Sequence, residues 1–224
     1  RNQLVETLKN TAIPWYSLLS PTVIGYEEEA EKWAEQVYAH DVDKAIRLLE
    51  QAGWVDTDGD GIREKNRQEL AITILVPNDI PALKKIAPIL QAQLQSIGFK
   101  VELKEMENAF IRNSIRNWDF QLALQRYSWA DADILIYLLH SKVANRTYEN
   151  PQVDQLLEKA RTIMDPVERA KTYTQLQKIV LEDLPMMPLF VTKTYTAVRK
   201  EVQGVLVLPP YSQIIINDAK IVEG

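Results

Sequence analysis

Residues 48–76 read LLEQAGWVDTDGDGIREKNRQELAITILV and join the end of a helix to the start of a strand through an acidic turn. The apolar helical pattern stops at Gly53, a residue type that commonly adopts the left-handed conformation just after a helix. Aspartates and glycines fill the turn at 56–61, and the apolar, partly β-branched run 71–76 is typical of a buried strand. This stretch therefore predicts a helix–turn–strand junction from which the rest of the fold follows.

The residues after the junction predict a second strand and the helix that connects it to the first. Apolar residues recur at helical spacing from Leu83 to Ile97, Gly98 is placed to end that helix, and FKVELKEM at 99–106 alternates like a strand. A helix between two strands with short connections predicts a parallel, right-handed βαβ unit. Pro88 lies inside the helix, so we expect a kink or a later helix start.

Helix caps mark three further helices. Asp41 is the expected N-cap of one, Asn150 with Pro151 opens another, and Asp165 with Glu168 has the spacing of a capping box. The helix after Asp41 is predicted to bury a stripe made of Val42, Ala45, Leu48, Leu49 and Ala52. After the last helix the runs PLFVT, YTAVRK, VLVL and QIIIN each predict a strand.

Composition excludes several functions. The chain has 224 residues, a formal net charge of -5 and a pI near 5.2, which argues against binding to a nucleic-acid backbone. It has no cysteine and therefore neither disulfides nor thiolate metal sites. No cysteine nucleophile, Gly-x-Ser-x-Gly motif, phosphate-binding glycine loop or His-Glu-x-x-His motif is present, so we predict no catalytic residue and no enzyme.

Four stretches together resemble one protein family. They are AGW with DTDGDGIRE at 52–64, LQAQLQSIGFKVELKEM at 90–106, WDFQLALQRYSWADAD at 118–133, and the long segment from Tyr148 to Phe190. In this order they are similar to the second lobe of the oligopeptide, dipeptide and nickel class of solute-binding proteins that serve ABC importers. Members of that class are about twice as long, so the chain resembles the C-terminal part of one.

The resemblance implies a fold and a function. It implies an α/β, periplasmic-binding-protein-like (type II) lobe, with a mixed sheet and a parallel βαβ core flanked by helices. Residues 1–204 would form the second lobe, and residues 205–224 a tail that returns through the hinge to a first lobe absent here. The implied function is capture of peptides or a similar small polar solute, in the periplasm or outside the cell, for a cognate ABC permease. A lipoprotein anchor could precede such a chain.

Two other functions remain open at this point. A related lobe could serve as an interaction or sensor module that docks proteins and transports nothing. A hydrolase with paired carboxylates draws only on the abundance of acidic residues, of which the chain has 31. No cofactor is predicted for any of these functions.

The run FQLALQRY at 120–127 predicts a further strand, and the candidate ligand site, RYSWADAD at 126–133, lies at and just past its end. Ligands in open α/β sheets bind beyond the carboxyl ends of the strands. Trp129 supplies an apolar face and an indole donor, Asp131 a negative charge, and Arg126 a partner for a carboxylate. The same residues also have a structural interpretation, in which Trp129 is a core residue and Asp133 caps the next helix. For Asp133 we expect the cap.

The resemblance adds detail to this site. An aspartate close after the tryptophan binds the ammonium group of a peptide in some members, and a following polar loop lines the cleft. Asp131 stands two residues after Trp129 where three is usual. The predicted ligand-binding residues are Arg126, Tyr127, Trp129, Asp131, Asn145, Arg146 and Tyr148.

The acidic turn is a second candidate site. Asp56, Asp58, Asp60 and Gly61 match the first half of an EF-hand calcium loop, but the twelfth position is Arg67 instead of a glutamate. Aspartate and glycine also suit tight turns for a local reason, because the carboxylates accept hydrogen bonds from nearby backbone amides. We therefore predict a structural turn and no metal site.

Overall fold

The computed structural model describes residues 1–9, 11–143, 148–208 and 213–222. The helices are α1 Asn2–Thr7, α2 Glu28–Val37, α3 Val42–Gln51, α4 Pro81–Gln95, α5 Asn108–Arg116, α6 Ile134–Leu139, α7 Pro151–Thr162 and α8 Pro166–Asp183. The strands are β1 Ala12–Pro14, β2 Glu64–Lys65, β3 Gln68–Glu69, β4 Ala71–Pro77, β5 Lys100–Met106, β6 Leu122–Ala123, β7 Phe190–Thr192, β8 Val202–Gln203, β9 Leu206–Leu208, β10 Gln213–Ile215 and β11 Lys220–Ile221.

The chain divides into two compact units. The sheet unit consists of Asn2–Lys9 and Tyr38–Arg126, and the helical unit consists of Arg1, Asn10–Val37 and Tyr127–Gly224. A search of the described helices finds none that combines the length and apolar character needed to cross a membrane.

The sheet unit is built on three parallel strands in the order β5-β4-β6. β4 lies in the centre, which explains its almost uninterrupted apolar sequence, because a central parallel strand is covered on both faces. It pairs with β5 over its full length, whereas β6 pairs with it only at Ile74 and Leu75. Ile74, Val76, Ala87 and Val101 form the buried core between the sheet and α4. The predicted parallel βαβ unit is confirmed.

The junction at the start of the sheet unit also forms as predicted. Gly53 has a φ of 83° and follows α3, where its N–H bonds to Glu50 O and that of Trp54 bonds to Leu49 O. Gly98 ends α4 in the same way, with a φ of 97°. Helix α4 begins at Pro81 and continues through Pro88, so the alternative of a late helix start is wrong.

The prediction of a buried stripe on α3 is wrong. Asp41 caps this helix through a 2.7 Å hydrogen bond from Lys44 N, as expected, but no residue of α3 is buried. Val42 is 40% exposed and Leu48 is 56% exposed. The amphipathic pattern is present, but Ala45, Ile46 and Leu49 of its apolar face are only half-buried. Burial depends on a partner surface, which periodicity alone does not supply.

The helical unit is organised around α7 and α8. Asn150 caps α7, and Asp165 caps α8 by accepting a hydrogen bond from Glu168 N at 2.9 Å. Helix α8 stops before Pro185, as predicted: its last residue is Asp183, and the C-cap Leu184 is in the left-handed conformation. The buried core includes Leu19, Leu135, Leu139, Val153, Leu157, Tyr173, Leu176 and Val180.

Short antiparallel strands complete the helical unit. β1 pairs with β7, β9 with β10, and β8 with β11. The runs PLFVT, VLVL and QIIIN each contribute a strand, but YTAVRK at 195–200 forms none, so that prediction is wrong. Its alternation resembles a strand, whereas a strand exists only where backbone groups find a partner strand.

Candidate functional site

Polar residues collect at the carboxyl edge of the parallel sheet. Asn78 follows β4 directly, and its N–H donates to Met106 O at the end of β5 at 3.0 Å. Asn108 opens α5 after β5, and its Oδ1 accepts a 3.2 Å hydrogen bond from Gln125 Nε2 beyond β6. Arg126, the last residue of the sheet unit, is exposed. Arg126 was predicted from the sequence, whereas Asn78, Asn108 and Gln125 were missed, although Asn78 and Asn108 follow predicted strands and Gln125 lies within one.

In the helical unit, the segment from Tyr127 to Asp133 is held by a short backbone ladder. Ile24 N donates to Ala130 O at 2.9 Å, and Ala132 N donates to Ile24 O at 2.9 Å. Ala132 is completely buried, and a side chain at neighbouring Gly25 would place its Cβ 2.9 Å from the Ala132 Cβ. Gly25 also has a φ of 101°, which favours glycine. The segment is therefore fixed to the body of the unit and is not a free loop.

Two aromatic side chains of this fixed segment face solvent. Tyr127 is 49% exposed and Trp129 is 46% exposed. A large apolar ring that remains half-exposed on an anchored backbone can stack on a solute without first being ordered. The alternative interpretation of Trp129 as a core residue is wrong.

Asp131 forms a bidentate ion pair with Arg169 of α8. Nη2 of Arg169 lies 2.6 Å from Oδ1 of Asp131, and Nη1 lies 2.7 Å from Oδ2. The hydrogen bonds from Arg169 hold the pKa of the Asp131 carboxyl below its usual value, with help from the Asp133 N–H and against partial desolvation. Its carboxylate is thus ionised and occupied by a partner from its own unit.

Asp133 does not cap α6, which corrects the expectation from the sequence. It stands at the N-cap position, but its side chain bonds to no backbone N–H of the helix. Its Oδ1 instead lies 3.0 Å from Arg161 Nε of α7, an ionic contact without good hydrogen-bond geometry. The Asp133 N–H donates to Asp131 Oδ1 at 2.8 Å, an Asx-turn contact that lies before the helix.

Tyr148 lies just before the N-terminus of α7 and is partly buried against the core of the helical unit. Its hydroxyl donates to Asp183 Oδ2, which also accepts from Asn150 Nδ2 at 2.9 Å. Burial and the neighbouring Asp183 raise the pKa of the Tyr148 hydroxyl, so the phenol stays protonated and acts as a donor. The other two predicted loop residues, Asn145 and Arg146, lie outside the described residues.

Comparison with known proteins identifies the family. The profile described as bacterial extracellular solute-binding proteins, family 5 (Middle), matches residues 1–147. The chain belongs to solute-binding protein family 5. Family 5 proteins bind solutes and are not enzymes, which confirms the prediction that the chain is not one.

Relatives of this family 5 chain are considerably longer than it is. The oligopeptide-binding protein AppA of Bacillus subtilis is 26% identical over 223 residues, which cover 91% of this chain and 41% of AppA. The solved structure of AppA with a nonapeptide aligns with a TM-score of 0.71 at 23% identity, over 99% of this chain and 45% of that one. The structure of HbpA2 from Haemophilus parasuis aligns with a TM-score of 0.80 at 21% identity, over 98% of this chain and 42% of that one. These structures confirm the predicted periplasmic-binding-protein-like α/β fold.

The acidic turn of this family 5 chain has the geometry of a set of Asx turns. Both oxygens of Asp56 accept backbone N–H groups, from Gly59 at 2.7 Å and from Gly61 at 3.0 Å. Asp58 and Asp60 accept from residues two further along. One carboxylate oxygen each from Asp56, Asp58, Asp60 and Glu64 lies within 4.8 Å of the others, so this group could hold a divalent cation. The local hydrogen bonds already explain why these residues form a turn.

Proposed function

We propose that this chain is the second lobe of a two-lobed binding protein that captures oligopeptides, or a similar small polar solute, for an ABC importer. The relatives support this assignment. The chain spans less than half the length of AppA, whose name describes an oligopeptide-binding protein and whose structure holds a nonapeptide. Residues 1–204 would form the lobe, and residues 205–224 would extend to the first lobe.

The end of the chain supports the role of the tail. Strands β9 and β10 form a two-stranded ribbon, with Leu206 53% exposed and Ile214 56% exposed. A ribbon of two strands is marginally stable in water, and apolar side chains favour a larger sheet that covers them. The first lobe would supply that cover.

The observation that carries the proposal is the exposed indole of Trp129 on its anchored segment. Its ring, with that of Tyr127, would stack against the solute. Arg126 and Arg146 would meet carboxylate groups, and Asn145 would supply hydrogen bonds. In this proposal Tyr148 and Asp131 shape the polar wall of the site.

Such a protein would bind by closing its two lobes about a hinge, which excludes water from the solute. The cognate permease would then take the solute from the closed protein. The location would be the periplasm or the cell exterior, with a lipoprotein anchor as one means of retention. One lobe holds only part of the contacts and none of the enclosure, so we take about half of the binding free energy to be missing from it.

Isothermal titration calorimetry of the 224-residue chain with oligopeptides of three to nine residues tests this proposal. A binding free energy of about -8 kcal/mol, equivalent to about 1 μM, falls to about -4 kcal/mol when halved, equivalent to about 1 mM. We therefore expect dissociation constants of about 1 mM. Sub-micromolar binding by this chain alone would contradict the two-lobe site, and the absence of binding at 10 mM, roughly tenfold above that expectation, would contradict the solute role.

A further inference from the structure

We propose that Arg169 determines the specificity of the solute site by occupying Asp131, so that the site takes solutes which present an uncharged polar end to this position. The inference rests on the proposed function and adds a substrate class to it. An N-acylated peptide and an oligosaccharide both meet the requirement, whereas a peptide whose free α-ammonium group needs this carboxylate does not.

The first argument is the hydrogen bonding of the carboxylate. Oδ1 of Asp131 accepts from Arg169 Nη2 and from Asp133 N, and Oδ2 accepts from Arg169 Nη1. Three of about four acceptor positions are therefore filled by groups of the helical unit. An ammonium group brings three donors and would find one position free.

The second argument is that Arg169 is itself held in place. Its Nε donates to Ala160 O at 3.2 Å, and Nη2 lies 3.4 Å from the Tyr173 hydroxyl. The guanidinium carbon lies 5.3 Å from the centroid of the Tyr173 ring, which is fully buried. Arg169 therefore cannot turn away to release Asp131 without losing contacts to both α7 and α8.

The third argument is charge. The paired Asp131 and Arg169 carry no net charge, and their side chains are 30% and 19% exposed. A bidentate arginine–carboxylate pair is stronger than the contact of a carboxylate with a single ammonium point charge. An incoming ammonium group would therefore gain little from Asp131 while losing its own hydration.

The test compares two probes that differ only at one end, trialanine amide with a free ammonium group and its N-acetylated form. Each is titrated to millimolar concentration into the 224-residue chain, and the NMR signal of the Trp129 indole N–H reports binding. The variants are Arg169→Gln, which leaves Asp131 unpaired, and the double variant Arg169→Gln with Asp131→Asn. Arg161→Gln is the matched control because it removes the neighbouring pair with Asp133. Thermal unfolding establishes that each variant folds.

In the unmodified chain and in Arg161→Gln the acetylated probe should bind more tightly than the free-ammonium probe, because the ammonium group loses hydration and finds the Asp131 carboxylate already paired. In Arg169→Gln the free-ammonium probe should bind about tenfold more tightly than the acetylated one, in keeping with a hydrogen bond to an ionised group. The double variant, which lacks the carboxylate, should abolish this preference for the free-ammonium probe. A purely structural role of Arg169 would weaken both probes equally and would not change the ratio of the two dissociation constants.

Two results would overturn the inference. One is a tenfold preference of the unmodified chain for the free-ammonium probe that Asp131→Asn abolishes. The other is an unchanged ratio in a folded Arg169→Gln variant. If no probe shifts Trp129 in any of the proteins, both this inference and the proposed solute site fail, which distinguishes that result from a failure of the role of Arg169 alone.

Discussion

Glycine positions show at the residue scale which local conformations the fold requires. At Gly98 the φ is 97°, and an added Cβ would lie 2.5 Å from Cγ of Arg63. That arginine bonds to Ile97 O at 2.9 Å and to Trp54 O at 3.0 Å, so moving it would break contacts of the α3 and α4 ends. At Gly59 the φ is 82°, but nothing lies within 4 Å of the added atom.

We predict that Gly98→Ala lowers the free energy of unfolding by about 2–4 kcal/mol, because a left-handed alanine costs about 1–2 kcal/mol and the clash adds to it. Gly59→Ala should cost only about 1 kcal/mol, since it carries the conformational cost alone. Urea unfolding of both variants measures the difference. Equal losses of unfolding free energy in the two variants would contradict this prediction, because they would show that the Arg63 side chain moves aside at no cost.

The acid sensitivity of the Asp131–Arg169 pair gives a second prediction. Because the pKa of Asp131 is lowered in the folded chain, its stabilising effect is complete above the unfolded value of about 3.9 and is lost as the pH falls through the lower folded value. Asp131→Asn should therefore be about 1–3 kcal/mol less stable at pH 7, and the difference should shrink below about pH 4. Urea unfolding at several pH values measures it. A difference that stays constant down to pH 2 would contradict the lowered pKa.

The helix caps show which residue roles sequence can predict. Asp41, Asn150 and Asp165 were all predicted, because a cap bonds to amides two or three residues away. Asp133 was predicted as a cap and is not one, since Arg161 from another helix holds its side chain. The role of Arg169 was missed for the same reason, because its partner Asp131 lies 38 positions away in sequence.

At the scale of elements, periodicity predicted the long helices and the parallel strand pair but not which faces are covered. Helices α3 and α4 both show an apolar stripe, yet only α4 buries its stripe against the sheet. The β2–β3 hairpin was missed because its turn residues, Asn66 and Arg67, both have positive φ without a glycine. β6 is shorter than predicted, with Leu122 and Ala123 alone in the ladder.

Because α4 buries its apolar stripe and α3 does not, truncating a large apolar side chain to alanine should destabilise the chain more on α4 than on α3. Ile86→Ala on α4 removes a completely buried side chain and should lower the free energy of unfolding by about 2–5 kcal/mol. Leu48→Ala on α3 removes one that is 56% exposed and should change it by less than about 1 kcal/mol. Denaturant unfolding of the 224-residue chain checks both. A loss above about 2 kcal/mol for Leu48→Ala would mean that the apolar face of α3 is covered in solution.

At the scale of the whole molecule, the family and the α/β fold were predicted from four ordered stretches of sequence, and the comparisons confirm both. The geometry of the candidate solute site was predicted less completely, because it depends on tertiary contacts such as the ladder between Ile24 and residues 130–132. That ladder holds Trp129 at the surface, and nothing in the local sequence of the segment indicates it. The account of function therefore depends on whether this exposed indole meets a solute.

The most direct measurement is an NMR titration of the indole N–H signals with oligopeptides at millimolar concentration. Trp129 and Trp118 are similarly exposed, at 46% and 58%, but Trp118 lies before the amino end of β6 in the sheet unit and is not among the predicted ligand-binding residues. We predict that the Trp129 signal shifts saturably while the Trp118 signal stays unchanged. An unshifted Trp129 signal, or equal shifts of both indoles, would contradict the proposal that this chain carries half of a solute site.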